Sequence, residues 1–243
     1  MEIFNYIKLK IAQVLFRKNR NSEFSELWDK GFLLSPDFLS PEECDLVHSV
    51  VGPIANTNSK FIVSKGERRV FGVEHRTDQL DHIWQKLDSH SDKFISPLTH
   101  LREKHFTYMY NEVNKDNFGS GGGWHRDSAF TPNFKIIVYL SDTGKDNGPF
   151  QYIQGSHKIE FYKNLKAKMG FSFAKTRFTD ENLLGLNSEF EIKEIVGKKG
   201  SVLIAITNGL HRGKPVEEGT RLALTRYNFY RRIPQFLSKE ITK

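Results

Sequence analysis

The sequence predicts a mainly β fold with flanking helices: a two-sheet antiparallel jelly roll, cupin-like in outline, with an N-terminal helical portion. Three observations carry this. Apolar residues recur at helical spacing in the first hundred or so positions and at strand spacing beyond them. The strand-like segments are divided by turn-like stretches at 116–123, 144–148, 197–200 and 217–219. No helix of crossover length separates most of them, which argues against a parallel α/β sheet.

Residues 3–20 read as a helix. Ile3, Phe4, Ile7, Ile11, Val14 and Leu15 form its apolar stripe, while Lys8, Lys10, Arg17, Lys18 and Arg20 take other faces. Such a basic amphipathic helix either lies on an anionic membrane surface or packs on protein, so 1–22 is set apart from a single domain over 23–243. A second helix starts at Ser40: Ser40-Pro41-Glu42-Glu43 offers an N-cap, a first-turn proline and the Glu of a capping box, and the helix runs to about Val51. A third covers about 78–103, with a break near Pro97. Between them, 54–76 is polar and basic (Lys60, Lys65, Arg68, Arg69, Arg76) and reads as loop or short strands. The core strands, over about 104–231, are expected at 106–113, 124–130, 134–141, 150–153, 190–196, 201–207, 210–216 and 221–231. Residues 157–187 form a lysine-rich insertion between the fourth and fifth of these.

Composition narrows the function. With 38% hydrophobic and 13% aromatic residues the 243-residue chain can build one sizeable core, which excludes wholesale disorder. The longest apolar runs, 136–140 and 202–206, are far too short to span a bilayer, and Glu2 and Asn5 interrupt any signal-like apolar start. A cytoplasmic protein is expected. The single cysteine, Cys44, excludes a thiolate metal site and an intrachain disulfide, so metal ligands would be His and carboxylate. A net charge of +7 favours anionic partners, but no nucleic-acid-binding motif accompanies it.

The informative residues are few. On a strand, residues two apart share a face, so His125 and Asp127 can grip one ion, and His211 on a later strand could supply a third ligand. Two imidazoles and one carboxylate on one face of an octahedron leave three adjacent positions open, the arrangement of non-heme Fe(II) oxygenases. The open positions suit O2 and a chelating 2-oxo acid, whose distal carboxylate needs a cationic fork. Arg221, starting the next strand with Ala223 and Thr225 on its face, is placed to supply one, although it could instead pair with Glu217 or Glu218. Lys135 shares a face with Ile137 and Tyr139; turned inward it would need an anionic partner such as co-substrate or substrate, turned outward it leaves Ile136, Val138 and Leu140 as core. Trp124 should point away from His125 and pack, and His157 reads as structural.

Gly121-Gly-Gly-Trp-His125-Arg-Asp127-Ser, Asn147-Gly-Pro-Phe-Gln-Tyr-Ile-Gln-Gly-Ser-His157-Lys and Gly209-Leu-His211-Arg-Gly, with Arg221, resemble the phytanoyl-CoA dioxygenase family of Fe(II)/2-oxoglutarate-dependent oxygenases. The resemblance spans about 30–231 and is sharpest over 121–231. It implies a double-stranded β-helix, iron on His125, Asp127 and His211, and 2-oxoglutarate on Arg221. It further implies a co-substrate contact from the first core strand, where Tyr108 and Tyr110 lie. Halogenating relatives lack the carboxylate ligand, and Asp127 is present. The implied reaction is hydroxylation of an unactivated C–H bond in a small-molecule, glycan or lipid-linked substrate, with 2-oxoglutarate decarboxylated to succinate. The alternative is a non-catalytic binding module on the same barrel. No CoA-binding signature is visible, so the substrate does not follow from the resemblance.

Overall fold

The computed structural model describes Ile7 and residues 22–57, 62–94, 103–116, 118–129, 133–184 and 190–229. Two antiparallel sheets make its frame. The larger contains β1 (Phe32–Ser35), β2 (Ile62–Ser64), β3 (Glu67–Phe71), β4 (Glu103–Glu112), β5 (Phe134–Tyr139), β8 (Val202–Ile206) and β10 (Thr220–Phe229), in the order β1-β8-β5-β10-β4-β3-β2. The smaller joins β7 (Ile192–Ile195), β6 (Phe150–Ile153) and β9 (His211–Gly213) in the order β7-β6-β9. The consecutive strands that pair are β2 with β3, β3 with β4 and β6 with β7; the other ladders join strands distant in sequence, and β5 and β6 lie in different sheets. This is the two-sheet jelly roll that the strand spacing predicts.

Pairing register fixes which side chains meet. Arg221 lies opposite Asn111, Ala223 opposite Met109 and Tyr139, Thr225 opposite Thr107 and Ile137, and Tyr227 opposite His105 and Lys135. Glu67 and Arg69 extend the first two rows through β3. Because alternate residues face opposite sides, the odd-numbered positions of these strands turn toward the smaller sheet. The even-numbered ones (Val70, Phe106, Tyr108, Ile136, Val138, Leu224) form the core under the helices. Strands buried on both faces explain why β5 reads as a nearly continuous apolar run.

Helices α1 (Ser22–Lys30), α2 (Pro41–Thr57) and α3 (Asp81–Asp92) cover that even-numbered face. The capping box of α2 forms as its sequence requires: the Ser40 N–H donates to the Glu43 carboxylate at 2.7 Å and the Glu43 N–H to the Ser40 hydroxyl at 3.2 Å. Ser40→Ala is therefore expected to cost about 1 kcal/mol, read as a lower urea midpoint with an unchanged slope. The helix outlasts the expected stop at Val51, carrying Pro53 inside it. The third helix is shorter than expected, since Glu103 already belongs to β4. Arg226 ties that helix to the sheet, donating to Asp88 at 2.8 Å and to Ser91 at 2.7 Å.

Residues 54–76 include the short strands expected of them, β2 and β3, which bring Glu67 and Arg69 to the inner face. The expectation of a strand at 124–130 changes: its described residues, 124–129, are not a full strand, and His125 makes single bridges to Arg177 and His211. The lysine-rich insertion is packed against the sheets' end. It holds α4 (Ile159–Met169) and α5 (Asp180–Leu184), whose Phe161, Tyr162, Leu165 and Leu183 bury against Trp124 and Leu210. Apart from Ile7, the 3–20 helix expectation falls outside the described residues. Among those described, no helix is long and apolar enough to cross a membrane.

Candidate metal centre and cavity

Backbone pairing sets three side chains in place. His125 and His211 exchange N–H···O=C hydrogen bonds at 2.9 Å each, and the Asp127 N–H donates to the Thr207 carbonyl at 2.8 Å. Directly opposed residues of such a pair project to one side, so the imidazoles lie together, ring centres 4.3 Å apart. Each Nδ1 meets the carbonyl two residues upstream: His125 to Gly123 at 2.9 Å, His211 to Gly209 at 3.0 Å. A carbonyl only accepts, so both Nδ1 atoms carry the proton and both Nε2 atoms present a lone pair. These Nε2 atoms lie 3.6 and 3.8 Å from Asp127 Oδ1. Ligand atoms of the three residues all lie within 4.8 Å of one another. Two neutral imidazoles and a carboxylate so arranged fit a divalent transition metal.

The electrostatics keep Asp127 and His211 in that form. Burial raises the Asp127 carboxyl, but the Lys135 ammonium and the two imidazoles outweigh it and hold it well below the usual carboxylate range. Burial, then His125 and Lys135, hold the His211 imidazole well below its ordinary value. Lys135 does face inward. Its anionic partner is Asp127, whose two oxygens lie 2.9 and 2.8 Å from Nζ, and Nζ is 3.4 Å from His211 Nε2.

These residues line a cavity of about 330 Å3 that also reaches Arg221. Arg221 is 5% exposed, donates from Nη1 to the Gly148 carbonyl, and has no hydrogen-bond partner for its buried Nε. Gly213 makes room for it: a Cβ there would sit 2.8 and 2.9 Å from its two terminal nitrogens and 2.7 Å from Ser120 Cβ. A cradled guanidinium with a spare donor suits an anionic group. Beside it, buried Glu67 binds Arg69 at 2.7 Å and accepts from Ser120 at 2.7 Å. Arg69 thus enters the cavity with its charge already answered.

Tyr108 and Tyr110 are not brought to the cavity. Both occupy even-numbered positions of β4: the Tyr108 hydroxyl meets His48 of α2 at 2.7 Å and Tyr110 donates to Glu112 at 3.1 Å. Met109, between them, lines the cavity instead. Trp124 packs against the insertion and donates to Asp180 at 2.9 Å. His157 is buried between the Trp28 carbonyl at 2.6 Å and Tyr152 at 3.4 Å, and burial pushes it down to about 3.

The sequence profile described as phytanoyl-CoA dioxygenase matches residues 28–219, most of the chain and every residue of the triad. The chain belongs to the phytanoyl-CoA dioxygenase family. Solved structures of similar fold include SnoK, described as a non-heme alpha-ketoglutarate-dependent carbocyclase of nogalamycin biosynthesis. It is 14% identical, with 87% of this chain and 84% of that one covered at a TM-score of 0.63. HygX from Streptomyces hygroscopicus, solved with nickel and 2-oxoglutarate, is 16% identical over 86% of this chain and 87% of its own, at 0.54. A prolyl-4-hydroxylase from Pseudomonas putida is 11% identical over 86% and 97%, at 0.55. No curated protein matches the sequence. Membership in the family makes the protein an enzyme of the oxygenase type, and the double-stranded β-helix of the family is the frame described above.

The cavity also holds residues that sequence reasoning missed as site residues. Arg69 and Ser120 line it, with Glu67 behind them, and Tyr227 closes it beside Lys135. Arg126, between the two ligands of the His-x-Asp motif, stacks on Tyr162 and donates to the carbonyls of Lys175 and Phe173. The missing signal was register: once Arg221 is inward, pairing carries the same face to Asn111 and Glu67.

Proposed function

We propose that the protein is an Fe(II)/2-oxoglutarate-dependent hydroxylase of a small-molecule substrate, with His125, Asp127 and His211 holding iron and Arg221 holding the distal carboxylate of 2-oxoglutarate. The observation that carries this reading is a single cavity with a tautomer-fixed His-Asp-His set and a cradled, partly unpartnered guanidinium. When bound, iron and 2-oxoglutarate supply with O2 an oxidant able to take hydrogen from an unactivated C–H bond and leave a hydroxyl, releasing succinate and CO2.

The chain's own residues do the rest. The Gly123 and Gly209 carbonyls orient both imidazoles and keep Nε2 facing the ion. Lys135 fixes the carboxylate plane of Asp127 and limits its negative charge. Arg69, neutralised by Glu67, steadies the polar wall next to Arg221 and offers its remaining surface to the co-substrate. Ile137, Phe150 and Ala223 line the cavity with apolar surface, which restricts water. Anaerobic addition of Fe(II) and 2-oxoglutarate is expected to give a weak visible metal-to-ligand band, and its absence in folded, iron-loaded protein would refute the reading.

A further inference from the structure

One guanidinium beside the candidate metal centre is used by nothing above. Residues 124–126 and 176–178 run as an antiparallel pair, with the Arg126 N–H donating to the Thr176 carbonyl at 3.0 Å and the Phe178 N–H to the Trp124 carbonyl at 3.0 Å. His125 and Arg177 are its directly opposed residues. Opposed residues share a face, so Arg177 stands on the imidazole's side of the pair, and both line the cavity. Its Nη1 donates to the Gly121 carbonyl, and Gly121 itself packs on the His125 ring, where a Cβ would come within 2.2 Å of Cε1. Arg126 pins the same segment through the Lys175 and Phe173 carbonyls, so the guanidinium is held on fixed backbone. Arg177 is nevertheless exposed, which puts it at the mouth, and among the described residues no carboxylate pairs with it.

Charge gives this position its meaning. Arg69, Arg126, Lys135, Arg177 and Arg221 line the cavity against one carboxylate, Asp127. With iron and 2-oxoglutarate in place their charges cancel, Asp127 answers Lys135, Glu67 answers Arg69, and the described donors of Arg126 go to backbone carbonyls. The loaded site stays cationic, and Arg177 has donors to spare on its open side. We propose that the primary substrate is a small molecule bearing an oxyanion (carboxylate, sulfate or phosphate) and that Arg177 binds this group, setting which carbon faces the metal. This rests on the oxygenase reading above.

The test uses the full chain loaded with Mn(II) in place of iron and saturated with 2-oxoglutarate, with inorganic phosphate as the probe. Paramagnetic relaxation of its phosphorus nucleus reports binding close to the metal. Phosphate is expected to relax faster with the loaded protein, Arg177→Gln to weaken its binding about tenfold, Arg177→Lys to retain part of it, and 2-oxoglutarate affinity to change less than about twofold in both. The proposal is overturned if Arg177→Gln binds phosphate as the unaltered protein does, or if saturating 2-oxoglutarate abolishes the effect, which would place phosphate in the co-substrate's seat. If 2-oxoglutarate does not bind the Mn(II)-loaded protein at all, the oxygenase reading falls and the proposal with it.

Discussion

Asp127→Ala is expected to abolish succinate release, a larger loss than the roughly 10- to 100-fold typical of removing an outer partner of a metal ligand. The same change should weaken the fold. Lys135, with a side chain 10% exposed, would lose its acidic partner and remain beside the His211 imidazole. Breaking a buried pair costs several kcal/mol; the 23% exposure of Asp127 reduces that to about 2 kcal/mol here. The double variant Asp127→Ala/Lys135→Met should recover most of the stability and none of the activity. Denaturation in urea and succinate release, measured on the single and double variants, separate the two roles. A double variant as unstable as the single one would show that the unpaired ammonium is not the cause.

Arg221→Ala should act almost wholly on the co-substrate. Truncating one partner of a buried, hydrogen-bonded charge pair costs about 2–5 kcal/mol, so the 2-oxoglutarate KM should rise on the order of a hundredfold while kcat at saturation changes less. Arg221→Lys should recover only part of this, because a point charge cannot serve both the Gly148 carbonyl and a forked carboxylate. Gly213→Ala should move KM in the same direction, since its methyl would occupy the space of the guanidinium. Succinate release against 2-oxoglutarate concentration checks all three, and an unchanged KM in Arg221→Ala would remove it from the co-substrate site.

Much of the candidate site was legible because its signals are local. The His-x-Asp step, the capping box at Ser40 and the inward option for Lys135 depend on residues close in sequence, and each takes the geometry its spacing allows. What was not legible depends on pairing between distant segments. Tyr108 and Tyr110 occupy a strand whose two faces are both buried, so hydrophobicity could not say which side meets the cavity. Register with β10 decides it for Met109. Glu67 and Arg69 sat in a stretch that reads equally as loop or short strand, and pairing with β4 is what makes it strand and brings them to the inner face. The 124–130 segment alternates like a strand, yet three glycines precede it, and it is held by isolated bridges and side-chain bonds.

The division of odd and even positions on β3, β4, β5, β8 and β10 has a practical consequence for diversification. A library confined to cavity-facing odd positions such as Met109, Ile137 and Ala223 would vary the substrate-facing wall and leave the helix-facing core unaltered; because these residues also belong to the apolar cluster between the two sheets, it should hold side-chain volume nearly constant.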